Sequence, residues 1–208
     1  MTDRYTLTGN PEWPLLILAH GAGAGSDSPF MQQMAESLAA LEVAVLRFDF
    51  PYMQQMKADG RRRPPPKMPA LLEYYRSVIE SVGRPCVIGG KSMGGRVASL
   101  LLKDDALSEV KGCVCLGYPF HPPGKPQSLR TEHLAQLHKP LLIVQGTRDA
   151  LGNQQEVAGY TLDKSLQLLW LADGNHDLAP RKASGYSQQQ HIQAACEQMA
   201  VFVKRLLK

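Results

Sequence analysis

No uninterrupted apolar run in these 208 residues approaches the roughly 20 needed to cross a bilayer. The strongest, "PLLILAH" at 14–20, ends in a string of glycines, so no membrane span is expected. The start, "MTDRYTLTGNPEWP", lacks a basic region followed by an apolar stretch, which argues against a signal peptide. Cysteine is scarce: Cys86, Cys113, Cys115 and Cys196 lie in or beside apolar runs. Cys113-x-Cys115 has no second pair at zinc spacing, so it reads as two reduced core thiols sharing one face of a strand. Together these absences point to a cytoplasmic protein without a metal. Charge is also sparse. A net +4 is too weak to argue for nucleic acid. The one arginine run, "GRRRPPPK" at 60–67, has no aromatic residues interleaved with it, so no nucleic-acid partner is expected. Neither an internal repeat nor a linker interrupts the chain, and residues 1–208 read as one domain.

What is present is a strict alternation. "PLLILAH" (14–20), "VAVLRFDF" (43–50), "PCVIGG" (85–90), "GCVCLGY" (112–118), "PLLIVQG" (140–146) and "LQLLWLAD" (166–173) read as strands. They do not alternate apolar with polar, as expected when both faces of a parallel sheet are covered. Between them, Phe30–Leu41, Met68–Val82, Ser92–Leu102 and Leu129–Leu137 carry helical spacing, and a last helix spans 188–207. The fold class is therefore α/β: a doubly wound, mostly parallel sheet flanked by helices. Two segments, 51–69 and 118–130, are rich in proline and read as surface loops at the carboxyl edge of the sheet, where open α/β sheets bind ligands.

At 89–95 the stretch "GGKSMGG" sets one serine among glycines between a strand and a helix. Gly90-Lys91-Ser92-Met93-Gly94 satisfies G-x-S-x-G in the context that motif requires. The flanking residues must be small because strand and helix pass close together there. A phosphate-loop reading fails, because the glycine it needs at position 85 is Pro85. A serine hydroxyl is a weak nucleophile until a base takes its proton, so a histidine and a carboxylate are required. Asp149 follows the strand "PLLIVQG" and His176 follows "LQLLWLAD", at the same sheet edge and in the order Ser, Asp, His. The Met93 amide, at a helix start, and the Ala22 amide, in the glycine-rich loop "HGAGAG", are the candidate oxyanion donors. His20 reads as a residue ordering that loop, and Asp49 and Asp177 as structural carboxylates.

With these motifs in hand, the sequence resembles the α/β-hydrolase superfamily over nearly its whole length. H-G-A-G-A-G at 20–25, G-K-S-M-G at 90–94, Q-G-T-R-D at 145–149 and G-N-H-D at 174–177 carry the likeness. "FPY" and "GYPFHPPGKP" make it most similar to small, cap-less hydrolases of dienelactone-hydrolase-like type, with Ser92 standing where dienelactone hydrolase has cysteine. The resemblance implies a minimal fold without a large cap, a Ser-Asp-His hydrolase and no cofactor. The expected activity is cleavage of a small-molecule ester or thioester through an acyl-enzyme on Ser92, in a shallow pocket bordered by the two proline-rich loops. The alternative is a non-catalytic module that keeps the fold and docks an anionic partner through the basic loop at 60–67. The same loop offers Arg61, Arg62 and Arg63 as contacts for an anionic substrate. Oligomeric state stays open.

Overall fold

The computed structural model describes residues 5–208, in which seven strands form a single sheet in the order β1-β3-β2-β4-β5-β6-β7. They are β1 (Tyr5–Thr8), β2 (Leu15–Ala19), β3 (Ala44–Phe48), β4 (Cys86–Lys91), β5 (Val110–Leu116), β6 (Leu141–Gly146) and β7 (Gln167–Leu171). All neighbours run parallel except β1, which lies antiparallel to β3 with Tyr5 opposite Phe48. The helices are α1 (Pro29–Ala39), α2 (Pro51–Asp59), α3 (Met68–Val82), α4 (Met93–Leu101), a single turn α5 (Gln154–Val157) and α6 (Gln188–Leu206).

Two apolar layers explain why the strands read as continuous runs. Successive side chains of β2 go to opposite faces: Leu16 and Leu18 to one, Leu15, Ile17 and Ala19 to the other. The first face is covered by α1 and α6 through Met31, Met34, Leu38, Met199 and Phe202. The second is covered by α3 and α4 through Leu71, Tyr75, Val78, Val97 and Leu101. The Cys113 and Cys115 sulfurs lie 3.8 Å apart in that second layer, as free thiols.

The chain steps from β2 to β3 on one side of the sheet and then returns to place β4 on the other side of β2. This is the topological switch point of a doubly wound sheet, where the loops leaving β2 and β4 part and open a crevice. Ala22 follows β2, and Ser92 follows β4.

Three elements depart from the expectations drawn from sequence. β1 was not legible, because an edge strand of four residues, only partly buried, carries no apolar stripe. Residues 51–59 form the helix α2 and not a loop: Pro51 sits in the first turn, where its missing N–H costs nothing, and Gly60 ends the helix at φ 70°. Leu129–Leu137 holds only a 3-10 turn, Glu132–Leu134. Its backbone is engaged elsewhere. The Tyr118 hydroxyl donates to Arg130 O, Asp163 N–H donates to Leu134 O, and the Asp163 carboxylate accepts from Leu137 N–H.

Candidate active site

Ser92 sits between β4 and α4 at φ 51° and ψ −112°, a conformation that side-chain-bearing residues rarely adopt. Its N–H donates to Leu116 O at 2.8 Å, which fixes the turn against β5. The two glycines of the motif are there for clearance. A Cβ on Gly94 would stand 2.6 Å from His20 O and 2.7 Å from Ala19 O, and one on Gly90 would run into the Gly94 and Gly95 backbone. Strand, turn and helix pack too closely to admit even a methyl group.

The Ser92 Oγ lies 2.9 Å from His176 Nε2, and His176 Nδ1 lies 2.8 Å from Asp149 Oδ2. Three residues from after β4, β6 and β7 thus form one hydrogen-bonded chain. A carboxylate only accepts, so the proton sits on Nδ1 and leaves Nε2 free to accept from the serine hydroxyl. Asp149 is fully buried and held from every side. Its Oδ1 accepts from Leu151 N–H at 2.9 Å, and its Oδ2 accepts from Gln145 Nε2 at 2.9 Å as well as from the imidazole.

Further side chains act one step back. Gln145, itself fully buried, accepts from Tyr118 N–H at 2.7 Å and donates toward Asp149, so it orients the carboxylate by its own anchorage to the backbone. Lys91 lies beneath the histidine: its Nζ donates to His176 O at 2.8 Å and meets Asp177 Oδ1 at 3.2 Å. Burial lowers the Lys91 pKa, and Asp177 partly restores it. The glycine-rich loop is pinned by His20. Phe50 N–H donates to His20 Nε2 at 3.1 Å, which leaves Nδ1–H to donate to Gly21 O at 2.6 Å, and burial holds this ring below its ordinary pKa. The Tyr52 hydroxyl donates to Ala22 O at 3.0 Å.

In the sequence Gln145 and Lys91 stand within Q-G-T-R-D and G-K-S-M-G, with no task assigned to either. Tyr52 lies in the segment read as a loop, and only its place in "FPY" marked it. Asp49 does belong to the scaffold: it takes Ser26 N–H at 2.7 Å and pairs with Lys57, which together hold its carboxyl below its usual range against the pull of burial. His133, His191 and His121 are committed elsewhere, to Ser99, Leu178 O and Pro122 O.

The amides of Ala22 and Met93 donate to no backbone carbonyl among the described residues. Met93 is the first residue of α4, where a helix leaves its N–H groups unpaired. Two open cavities meet at Ser92 and Ala22. One, of about 410 Å³, is bordered by Ala24, Phe30, Lys91 and His176. The other, of about 390 Å³, is bordered by Pro65, Pro66, Pro119 and Pro123 of the two proline-rich segments. Of the arginine run, Arg63 is tied to Asp59 at 2.5 Å, and Arg61 and Arg62 are exposed.

Residues 12–204 match the family described as alpha/beta hydrolase domain. Among solved structures, the chain is similar to Est1E from Butyrivibrio proteoclasticus with bound ferulic acid, at 18% identity and TM-score 0.72, covering 98% of this chain and 94% of that one. A dienelactone hydrolase from Anabaena variabilis aligns at 19% identity and TM-score 0.70, over 98% and 92% of the two chains. A monoacylglycerol lipase from Paleococcus ferrophilus aligns at 15% identity and TM-score 0.69, over 95% and 98%.

Proposed function

The chain belongs to the alpha/beta hydrolase domain family, and from that premise we propose that it is a serine hydrolase cleaving a small ester or thioester through an acyl-enzyme on Ser92. The observation that carries this reading is the continuous hydrogen-bonded chain from Ser92 Oγ through His176 to Asp149. A buried carboxylate held by three donors is a poor site for an incidental residue and a good one for fixing an imidazole.

In this mechanism the Ser92 hydroxyl passes its proton to His176 Nε2 as Oγ attacks the substrate carbonyl. Asp149 stabilises the imidazolium so formed without taking its proton. The carbonyl oxygen, now negative, is received by the Ala22 and Met93 amides, the second aided by the α4 dipole. His176 then protonates the leaving alcohol or thiol, and the acyl group remains on Oγ. Water repeats the sequence on the acyl-enzyme: His176 takes its proton, hydroxide adds to the carbonyl, and Ser92 leaves with the proton returned.

A fluorophosphonate probe, whose phosphorus is attacked as a carbonyl would be, tests the assignment. One equivalent should bind to Ser92, and Ser92→Ala should bind none while keeping its fold. Absence of labelling in the wild type would turn the reading toward the non-catalytic module.

A further inference from the structure

The second cavity at Ser92 contains two arginines that the fold does not employ. Arg96, one turn into α4, and Arg130, at the end of the segment after β5, both line it. Among the described residues neither guanidinium forms a salt bridge or a side-chain hydrogen bond, and the Arg96 Nε is buried with no partner at all. Other arginines find acceptors: Arg63 pairs with Asp59, Arg76 with Asp104, and Arg148 and Arg181 with Asp173, while Arg47, whose Nε is also unpartnered, donates to Ser26 O and Thr8 Oγ1. An unpaired, partly buried cation is costly, and a second cation beside it adds to the cost. Both effects act on Arg130, whose pKa is lowered first by burial and then by the charge of Arg96. Among the described residues no carboxylate forms a salt bridge with either of them. Apart from Ser92 the rest of the wall is apolar, and Met68, Leu71 and Leu151 are part of it.

We propose that this cavity receives an anionic end of the substrate, a carboxylate clasped by Arg96 and Arg130 while its apolar stem lies on Met68, Leu71 and Leu151 and its ester carbonyl lies at Ser92. The chemistry matches the lining. Two planar guanidinium forks present parallel N–H donors that suit a carboxylate, and the anion supplies the negative charge that the fold withholds. A neutral substrate of the same shape leaves both cations desolvated and unpaired, so selectivity comes as much from the penalty against the wrong ligand as from attraction to the right one. The exposed arginines of the 60–67 segment are not needed for this. Its prolines build the wall, and its guanidiniums stay outside.

The inference rests on Ser92 as the nucleophile, and its test separates the two. Matched esters differing only in a carboxylate or its primary amide would be compared, with the charge in either half of the molecule: 4-acetoxybenzoate against 4-acetoxybenzamide, and mono-4-nitrophenyl adipate against the corresponding adipamate. In at least one pair the wild type should favour the carboxylate by about tenfold or more in kcat/KM. Arg96→Gln and Arg130→Gln should each erode that ratio, chiefly through KM, and the double variant should bring it to about one. Thermal melting and Ser92 labelling of the variants would establish that they fold. Parity in the wild type for both pairs, or a preference surviving in the double variant, overturns the proposal. If Ser92 proves unreactive, calorimetric titration with adipamic acid against adipamide still decides the matter. Binding of the acid alone, lost in the double variant, sustains the anion site without the hydrolase, whereas indifference to charge removes it.

Discussion

Ser92 holds a backbone conformation that glycine visits freely and serine does not, and strain of this kind costs on the order of 1–3 kcal/mol. Replacing the hydroxyl alone and relaxing the backbone are therefore separable. Ser92→Ala keeps the strained φ and should melt close to the wild type. Ser92→Gly removes the strain, loses some of that gain to the greater freedom of its unfolded chain, and should still exceed the alanine variant by about 1 kcal/mol in denaturant unfolding. Both should be inactive. Equal stability of the two variants would mean that the turn stores nothing. At this scale the sequence is unusually readable: the residue types and their order single out Ser92, Asp149 and His176 before any geometry is known. What it hides is support. Nothing in a string of letters shows that Gln145 turns back to hold Asp149, or that Lys91 reaches the carbonyl of His176, because both are encounters between segments distant in sequence or hidden within a turn.

Between elements, the decisive contact is made by Tyr75 of α3. Its hydroxyl lies 2.7 Å from Ile17 O and 2.9 Å from Gly89 O, and it accepts from Gly89 N–H at 3.0 Å, so one side chain joins β2 to β4 just before the serine turn. Removing the hydroxyl leaves a buried N–H without its acceptor. Tyr75→Phe should cost about 1–3 kcal/mol in denaturant unfolding, far more than a surface tyrosine, although the ring still fills its place. A loss below about half a kcal/mol would show the pairing to be dispensable. The helices that pack broadly, α1, α3, α4 and α6, are the ones whose spacing is plain in the sequence. Where the expectation fails, as at α2 and Leu129–Leu137, the deciding facts are a proline that starts a helix and tertiary acceptors that divert one. Periodicity contains neither.

Across the whole molecule, covering both faces of the sheet buries histidines as well as aliphatic side chains. His133, bonded to Ser99 Oγ at 2.9 Å, is brought by burial and by nearby Lys103 and Arg96 from an ordinary 6.5 to about 4. The sign follows from proton binding. Above pH 6.5 the ring is neutral folded and unfolded, and it contributes no pH dependence. Between 6.5 and about 4 the unfolded chain takes up a proton that the folded chain refuses, so stability falls as pH falls, by at most about 3 kcal/mol from this residue. His20, lowered in the same direction, adds to the loss. Urea unfolding measured from pH 7 to 4.5 should show this decline, and His133→Gln should flatten it; an unchanged slope in the variant would move the cause elsewhere.

From β4 onward the sheet grows in one direction, each new strand joining the free edge left by the last: β5, then β6, then β7. The three residues of the hydrogen-bonded chain leave this series in order, Ser92 after β4, Asp149 after β6 and His176 after β7. During synthesis, which runs from the amino end, the hydroxyl therefore emerges first and its base last, 84 residues later. On the proposed reading, a chain that ends before β7 holds Ser92 in its turn but lacks the residue 2.9 Å from its Oγ, and so lacks the partner that would draw off its proton. Fluorophosphonate labelling of Ser92, expected on that reading, would then report that the far edge of the sheet has been completed.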